Sequence, residues 1–550
     1  MISEVRVQNY RSLKDVVVPI GPLTALVGPN GAGKTSVLRA IDLVLGSRWP
    51  TLGSVAIPED FTGFDTRLDL CVEVRFSPQL IHTDALKKDN AIAGFKVNCR
   101  PYKRATKSAE VGDLHMEFIP INEKGEAPMV AVGRLPGGAP KFQPLTVGTE
   151  LRERGGILFI DHRRSLIQHL PSSRGSILGR LMAPVRQEFE READAGGRSE
   201  FERRYEAAMD ALRTAKLREV ESTIADTAKS MIGFLGSKTV SDVEISFGFA
   251  DPANPFTSLR LEYREGGLTV PGQELGLGVQ SAMVVGIFEA FRRLKLGAGT
   301  IVIEEPEMYL HPQAQRYFYR LLREMADRGE AQVIYSTHSP IFADATRYEA
   351  IRLVRRPFGD YSRVTSASLE DQEFLRGRRE AQKLATGLSV GRSELFFARK
   401  VLLVEGPGDQ LGVRATAEKM GFDLDAENLA VVECGSKFAI PFFARICRAF
   451  AVDCVILHDE DIHPEEGDEE STAQIRKDNT RHRKVNSEIV GLVNDPGQCF
   501  VMKPSLEGEL GIGRRADDKP MRIAEALNSL ALDQVPLALR GAVTALTEAD

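Results

Sequence analysis

Through the first 45 residues the apolar pattern of VRVQNYRSL gives way to GPLTALVGPNGAGKTSVLRAIDLVL, where the spacing turns from strand-like to helix-like at Lys34. That order predicts strand, loop, strand, loop, helix. Residues 68–76 (LDLCVEVRF) alternate as a half-buried strand does. From 85 to 150 Gly, Pro and polar residues interrupt short β-like pieces, and the pattern orders little there. Within 176–232, ILGRLMAPVRQEFEREA and SEFERRYEAAMDALRTAKLREVESTIADTAKSMI place apolar residues three and four apart with mixed charges between, so the longest helical region is expected here. Short strands are expected again at 240–265, then a glycine-rich segment at 273–278, a strand at 300–303, a helix at 312–328 and a strand at 332–336. Residues 365–398 read as a polar helical connector. From 399 onward VLLV (401–404), LAVVE (429–433), VDCVIL (452–457) and CFVM (499–502) alternate with helical patterns, which predicts a small parallel sheet.

At 550 residues the chain is too long for one core and is expected to divide into two to four domains. Its 43% hydrophobic and 27% charged residues are those of a soluble globular protein, and a net charge of −6 is no global signature of a nucleic-acid binder. Any polyanion must therefore be met by local basic patches or by metal ions. Six scattered cysteines (71, 99, 434, 447, 454, 499) without a CxxC pair read as thiols in a reducing compartment. MISEVRVQNYRSL lacks the apolar core of a signal peptide, and no apolar run is long enough to span a bilayer. A cytoplasmic protein with no membrane contact is expected.

Chemistry enters at GPNGAGKT (28–35), a full GxxxxGK[ST] match between an apolar strand and a helix. Backbone N–H groups around Asn30, Gly31 and Gly33 are expected to cradle the phosphates of ATP, with Ser36 also binding the nucleotide, Lys34 to reach the β- and γ-phosphates, and the Thr35 hydroxyl to ligate Mg²⁺. TIVIEEPEMYLHP (300–312) ends an apolar strand on two carboxylates, which are costly to bury without a cation. Glu304 is the candidate Mg²⁺ ligand and Glu305 the residue that polarises the attacking water. QVIYSTHSP (332–340) ends another apolar strand on His338, a candidate γ-phosphate sensor. ELGLGVQSAMVVGIFEAF (274–291) leads through Gly278 into a helix, a second anion site. In this order the set resembles an ABC-type ATPase head of the kind found in SMC-like and DNA-repair proteins. That resemblance implies that Gly278 of one protomer closes over the ATP of another, and hence a homodimer or higher homo-oligomer. Asp60, in the ED-F stretch at 59–61, is a candidate Q-loop residue, and Arg163 and Arg164 are candidate phosphate contacts. The helical region is too short for a coiled-coil arm, so a compact insertion serving dimerisation is expected.

A second cluster of acids lies near the C-terminus. KVLLVEGPGDQ (400–410) breaks from an apolar run into Glu405 and Asp409, and VILHDEDIH (455–463) carries Asp459 and Asp461. In a parallel sheet the C-terminal ends of strands share one edge, so these four can converge, and four acids together need divalent cations. Glu507, in KPSLEGEL, follows a fourth strand. EGxxD, a strand, then DxD resembles the Toprim domain. An ABC-type head followed by Toprim resembles the OLD (overcoming lysogenisation defect) family of nucleases, which includes the ATPase-nuclease subunit of Gabija-type anti-phage systems. This resemblance implies a metal site on Glu405, Asp409, Asp459, Asp461 and Glu507, loaded with Mg²⁺, Mn²⁺ or another divalent ion. It also implies Lys519 near the scissile phosphate, with Glu405 among the catalytic groups, DNA as substrate and a helicase encoded nearby as a candidate partner. Gly435, in ECGSK, lies in the turn after the second strand of that domain.

The fold class expected is therefore α/β: an ABC-type head (1–165 and 239–365) with a helical insertion (166–238), a connector (366–398) and a small parallel-sheet Toprim domain (399–550). The expected function is an ATP-hydrolysing, metal-dependent DNA endonuclease in DNA repair or anti-phage defence. A topoisomerase needs a tyrosine nucleophile, and the last tyrosine is Tyr361; the parts of a primase are absent. The alternative from another class is an ATP-switched DNA scaffold whose Toprim domain is catalytically weak.

Overall fold

The structure, a computed structural model, describes residues 1–52, 57–102, 112–136, 138–161, 181–182, 184, 214–233, 244–248, 260–265, 268–294, 299–357, 359–376, 390–465, 469–493, 495–512 and 518–548. The chain divides into two compact units, Met1–His338 with Val354–Val364, and Ser339–Leu353 with Thr365–Asp550. No helix among the described residues is long and apolar enough to cross a membrane.

The first unit begins with β1 (Ile2–Tyr10), β2 (Leu13–Pro19), β3 (Leu23–Val27) and α1 (Lys34–Leu45). Then follow β4 (Leu70–Thr83), β5 (Asp89–Pro101), β6 (Leu114–Ile121), β7 (Met129–Arg134), β8 (Pro140–Pro144), α2 (Thr149–Gly155) and β9 (Ile157–Ile160). After α3 (Ala215–Gly233) come β10 (Glu244–Gly248), β11 (Arg260–Glu265), β12 (Leu268–Pro271), α4 (Leu277–Arg293), β13 (Gly299–Glu304), α5 (Pro312–Asp327) and β14 (Ala331–Thr337). β15 (Ile351–Arg355) and β16 (Arg363–Thr365) complete the strands of this part of the chain.

Two sheets organise it. The first, β2-β1-β4-β5-β6, is antiparallel, and the second runs β16-β15-β3-β14-β13-β9. In the second, β3, β14, β13 and β9 are mutually parallel, with Val27 opposite Thr337 and Glu304 opposite Ser336. Parallel alignment brings the C-terminal ends of β3, β13 and β14 to one edge, where the loops after them meet. Helix α1 packs against strands of both sheets through Val37, Leu38, Ile41 and Val44, all fully buried. Each such side chain contributes about 1.5–3 kcal/mol of burial, which anchors the helix that carries the phosphate loop.

The stretch 85–150 is more ordered than its pattern suggests, for β5 and β6 extend the antiparallel sheet and β7 with β8 form a hairpin. Residues 92–95 of β5 are buried continuously before alternation sets in, and β8 is exposed throughout, so the strand period is broken in both. The strand expected at 68–76 likewise runs on to Thr83. Of the long helical region, Ala215–Gly233 is a helix as expected, while Arg163, Arg164 and most of 176–213 lie outside the described residues. Within 365–398, residues 369–376 are helical and 377–389 lie outside the described residues.

The second unit is a plain αβ alternation. Its order is β17 (Lys400–Val404), α6 (Pro407–Lys419), β18 (Leu429–Glu433), α7 (Ile440–Ala449), β19 (Asp453–Asp459), α8 (Glu469–Leu492) and β20 (Cys499–Met502). Helices α9 (Leu506–Glu509), α10 (Lys519–Ser529) and α11 (Leu537–Thr547) follow. The sheet order is β18-β17-β19-β20, parallel at every pair. β17 is buried at all five positions, as a strand covered on both faces must be. Helices α6, α10 and α11 pack together, and α7 packs with α8.

Candidate active sites

The phosphate loop fills the turn between β3 and α1. Gly28 has φ 149°, and a Cβ there would stand 2.0 Å from the Val354 carbonyl oxygen; at Gly33, φ 107°, it would meet the Ser362 hydroxyl at 2.3 Å. Only glycine satisfies both positions. Lys34 is buried, and its Nζ donates to the carbonyls of Gly28 at 2.8 Å and Pro29 at 2.9 Å. Burial pushes its pKa down to about 8. The cation is therefore held inside the loop in advance, with part of its hydration replaced by backbone oxygens.

Asn30, Gly31, Gly33, Lys34, Thr35, Ser36, Glu305 and His338 line one cleft of about 580 Å³. Glu305 has a left-handed backbone, φ 49°, and its N–H donates to Ser336 O at 3.1 Å. Such a conformation costs about 1–3 kcal/mol for a non-glycine residue and is held here by the adjoining strand. Its Oε1 lies 3.6 Å from His338 Nε2, and Lys34 Nζ lies 3.5 Å from His338 Nδ1. Burial, then the Lys34 charge, push the His338 pKa down to about 4, so the ring is neutral at pH 7.

Glu304 and Gly278 do not line this cleft. Glu304 is 3% exposed, and Arg39 Nη2 stands 3.5 Å from its Oε2. Gly278 sits in the first turn of α4, one residue beyond Leu277. Asp60 does line the cleft, but its Oδ1 accepts from Arg11 Nε at 2.9 Å. Sequence reasoning missed Glu307. Its Oε1 accepts from the His338 N–H at 2.6 Å and the Thr337 hydroxyl at 2.9 Å, so it fixes the backbone that carries the histidine. A third carboxylate in EEPE was the available signal, masked by the proline that ends the strand.

In the second unit, adjacent parallel strands deliver the acids to one edge. Glu405 follows β17 and Asp459 ends β19; the Asp459 N–H donates to Glu405 Oε1 at 2.9 Å. Asp409, in the first turn of α6, accepts from the Gly406 N–H at 3.0 Å, which folds EGPGD back on itself. Asp459 Oδ1 accepts from the Leu506 N–H at 3.0 Å, next to Glu507. Lys519, the first residue of α10, has its Nζ 3.5 Å from Glu507 Oε1.

The electrostatics record the crowding. Burial first, with Asp409 and Asp461 adding, pushes Glu405 up to about 7. Burial, then Glu507 and Asp461, raise Asp409 to about 6. Burial, then Asp409, Glu405 and Asp461, raise Asp459 to about 9. Glu405, Asp409, Asp459, Asp461 and Glu507 are thus near enough to feel one another's charge. Among the described residues no three His, Cys, Asp or Glu side chains already form a ligand set for an ion. The acids that share this sheet edge are all oxygen donors, and like charges gathered there suit a hard divalent cation. The donor chemistry fits such an ion.

Lys437 was the residue in ECGSK that mattered and that the pattern hid, since a lone lysine reads as solvent-exposed. Its side chain is only 2% exposed. The ammonium donates to Glu460 O at 2.9 Å and Asp461 Oδ2 at 3.2 Å, and lies 3.5 Å from His482 Nδ1. Asp461 itself is left-handed, φ 52°, with its N–H bonded to Pro504 O at 3.0 Å. Helix α8 steadies the same loop, because Asn479 bonds both the N–H and the carbonyl of His463 and Asn486 donates to Glu460 O. Gly435, φ 87°, makes the turn that delivers Lys437.

With this geometry in place, the comparisons with known proteins fall into two parts that match the two units. A family model described as an AAA ATPase domain matches residues 1–98 and 156–343. One described as overcoming lysogenization defect protein-like, TOPRIM domain, matches residues 396–461. An OLD nuclease of Thermus scotoductus is 48% identical over 550 residues, covering 100% of this chain and 99% of that one. The Old nuclease of Escherichia phage P2 is 23% identical over 506 residues, covering 84% and 77%. Among solved structures, an Smc head bound to the C-winged helix domain of ScpA covers 68% of this chain and 99% of that one at 16% identity and TM-score 0.39, too loose a likeness to carry argument.

Proposed function

The chain belongs to the OLD nuclease family, and from that premise we propose that it hydrolyses ATP at the Lys34 cleft and cleaves DNA phosphodiesters at the carboxylate cluster of its second unit. The observation that carries the nuclease half is that adjacent parallel strands bring Glu405 and Asp459 to one sheet edge, joined by the Asp459 N–H on Glu405 Oε1, with Asp409 folded back onto the Gly406 N–H beside them. A buried cluster of this kind has no purpose in packing, since each added carboxylate raises the next. The scaffold alternative is not favoured, because it leaves this arrangement without a use.

Glu405, Asp409, Asp459, Asp461 and Glu507 would hold Mg²⁺ or Mn²⁺. Bound divalent ions supply an activated water and a counter-charge for the leaving oxygen. The chain's own part is positional. The Asp459 N–H orients Glu405, Lys437 fixes Asp461, and Lys519 beside Glu507 offers a cation to the phosphate being cut. In the first unit Lys34 and Ser36 would bind the phosphates of ATP, Thr35 would hold its Mg²⁺, and Glu305 would polarise water toward the γ-phosphate. Glu304, buried beside Arg39 and outside the cleft lining, would act on the Mg²⁺ through water, and neutral His338 would sense the γ-phosphate. Gly278 lies away from its own cleft and would serve the ATP of a second protomer in a homodimer, with the insertion before α4 as dimerisation element. A helicase encoded nearby, if present, would adapt the enzyme to anti-phage defence.

The test is nicking of supercoiled plasmid by purified protein with Mg²⁺ or Mn²⁺, alongside Asp459→Ala. Loss of nicking by more than about a hundredfold is expected in the variant, with ATP hydrolysis retained. No cutting by the parent protein with any divalent ion, or equal cutting by the variant, would overturn the nuclease assignment.

A further inference from the structure

The nucleotide cleft is longer than a phosphate cradle needs. Beyond Lys34, Thr35 and Ser36 it continues along Arg11, Ile57 and Phe64. Phe64 is 71% exposed and Ile57 42% exposed, an apolar shelf left open to water at the mouth of a polar pocket. The backbone beneath it is unusual. Gly63 at φ 65° and Phe64 at φ 59° are consecutive left-handed residues, a conformation that bulky L side chains rarely adopt. The turn is locked on the inside. Phe61 is 1% exposed, and the Phe64 N–H donates to Phe61 O at 3.0 Å. Arg11, which also lines the cleft, is tied to this loop by Asp60 and lies with its guanidinium 5.3 Å from the Tyr10 ring.

A strained backbone that presents an aromatic ring to solvent contributes nothing to folding, for an inward-facing ring would bury more apolar area. Strain of this kind is kept where a ligand uses it. The P-loop in the same cleft fixes what that ligand is at one end, a chain of phosphates. Planar apolar surface in the same cleft suits the nucleoside base attached to them, since aromatic rings stack on bases of any sequence.

We propose that Phe64, supported by Ile57, is the stacking platform for the adenine of bound ATP, so that the base as well as the phosphates is held by this unit. The inference rests on the nucleotide reading above and adds the base subsite to it. Its test is calorimetric binding of ATP and of inorganic tripolyphosphate, both with Mg²⁺, to the full chain and to Phe64→Ala. The variant should bind ATP roughly five- to hundredfold more weakly, as loss of one base stack does, and tripolyphosphate unchanged. Phe64→Trp, on a Trp49→Phe background because the chain has one tryptophan, should keep ATP affinity. Its indole emission should be quenched by ATP and not by tripolyphosphate. Unchanged ATP affinity in Phe64→Ala, or equal weakening of both ligands, would overturn the platform while leaving the nucleotide site standing. Failure of the parent chain to bind either ligand would overturn both.

Discussion

The two sites are built on the same plan and solve opposite electrostatic problems. Each stands at the C-terminal edge of a parallel sheet, where neighbouring strands bring distant residues together. At the ATP cleft the buried charge is a cation, and the protein satisfies it with its own backbone: Gly28 O and Pro29 O accept from Lys34 Nζ. At the carboxylate cluster the buried charges are anions of one sign. The chain offers them a few N–H groups, Lys437 and Lys519, which is less than the cluster needs. A backbone can solvate a single lysine from inside, but it cannot neutralise several crowded acids. The first site therefore satisfies its buried charge with the chain itself, whereas the second leaves a surplus of like charge.

The sharpest break between them is Lys34→Ala. Removing a preorganised phosphate-binding charge should lower ATP hydrolysis by on the order of a hundredfold or more, while Mn²⁺-dependent nicking measured without ATP largely survives. Loss of nicking in a folded variant would show that the cation-poor site depends on the ATP site and does not act separately.

A smaller effect is expected at the second site from Lys437→Met, which keeps the side chain's length and removes its charge. Asp461 then loses the ammonium that stands 3.2 Å from its Oδ2. Groups that orient a ligand from behind are typically worth about ten- to hundredfold in metal affinity. Mn²⁺ titration followed by electron paramagnetic resonance should show that loss, Lys437→Arg should restore part of it, and ATP hydrolysis should not change. Tighter Mn²⁺ binding in Lys437→Met would mean that the lysine competes with the ion instead of preparing its site.

The mildest test is pH. Glu405, Asp409 and Asp459 are raised to about 7, 6 and 9, against roughly 4 when unfolded. Folding thus favours their protonated forms, and that stabilisation is full below about pH 4 and lost as pH rises through the folded values. The melting temperature of metal-free protein, read by calorimetry, should fall by a few degrees between about pH 5 and 9. Divalent ions should restore most of it at the alkaline end. A flat or rising profile, with no metal effect, would remove the basis for treating the acids as one cluster.

Much of this architecture was legible in the residues. GPNGAGKT, the acids ending β13 and β19, and the αβ alternation after 399 follow from local pattern, since strand ends and glycine turns are set by near neighbours. The two-part family match was legible from the same motifs. Glu307, Lys437 and Phe64 were not. A carboxylate two residues from a motif, a single lysine in a turn and one phenylalanine in a loop have no pattern of their own. Their meaning depends on which strand, helix or cleft wall stands opposite.

The amino-acid order by itself determined which strands and helices form and which acids and cations each strand end carries, because hydrophobic period and backbone sterics act over a few residues. Only the tertiary structure decided that Lys437 would be buried against Asp461, that Glu307 would hold His338, and that Glu304 would be buried beside Arg39. Burial and Coulomb interaction depend on distance in space, and the separations that matter here join residues 24, 31 and 265 positions apart in the chain.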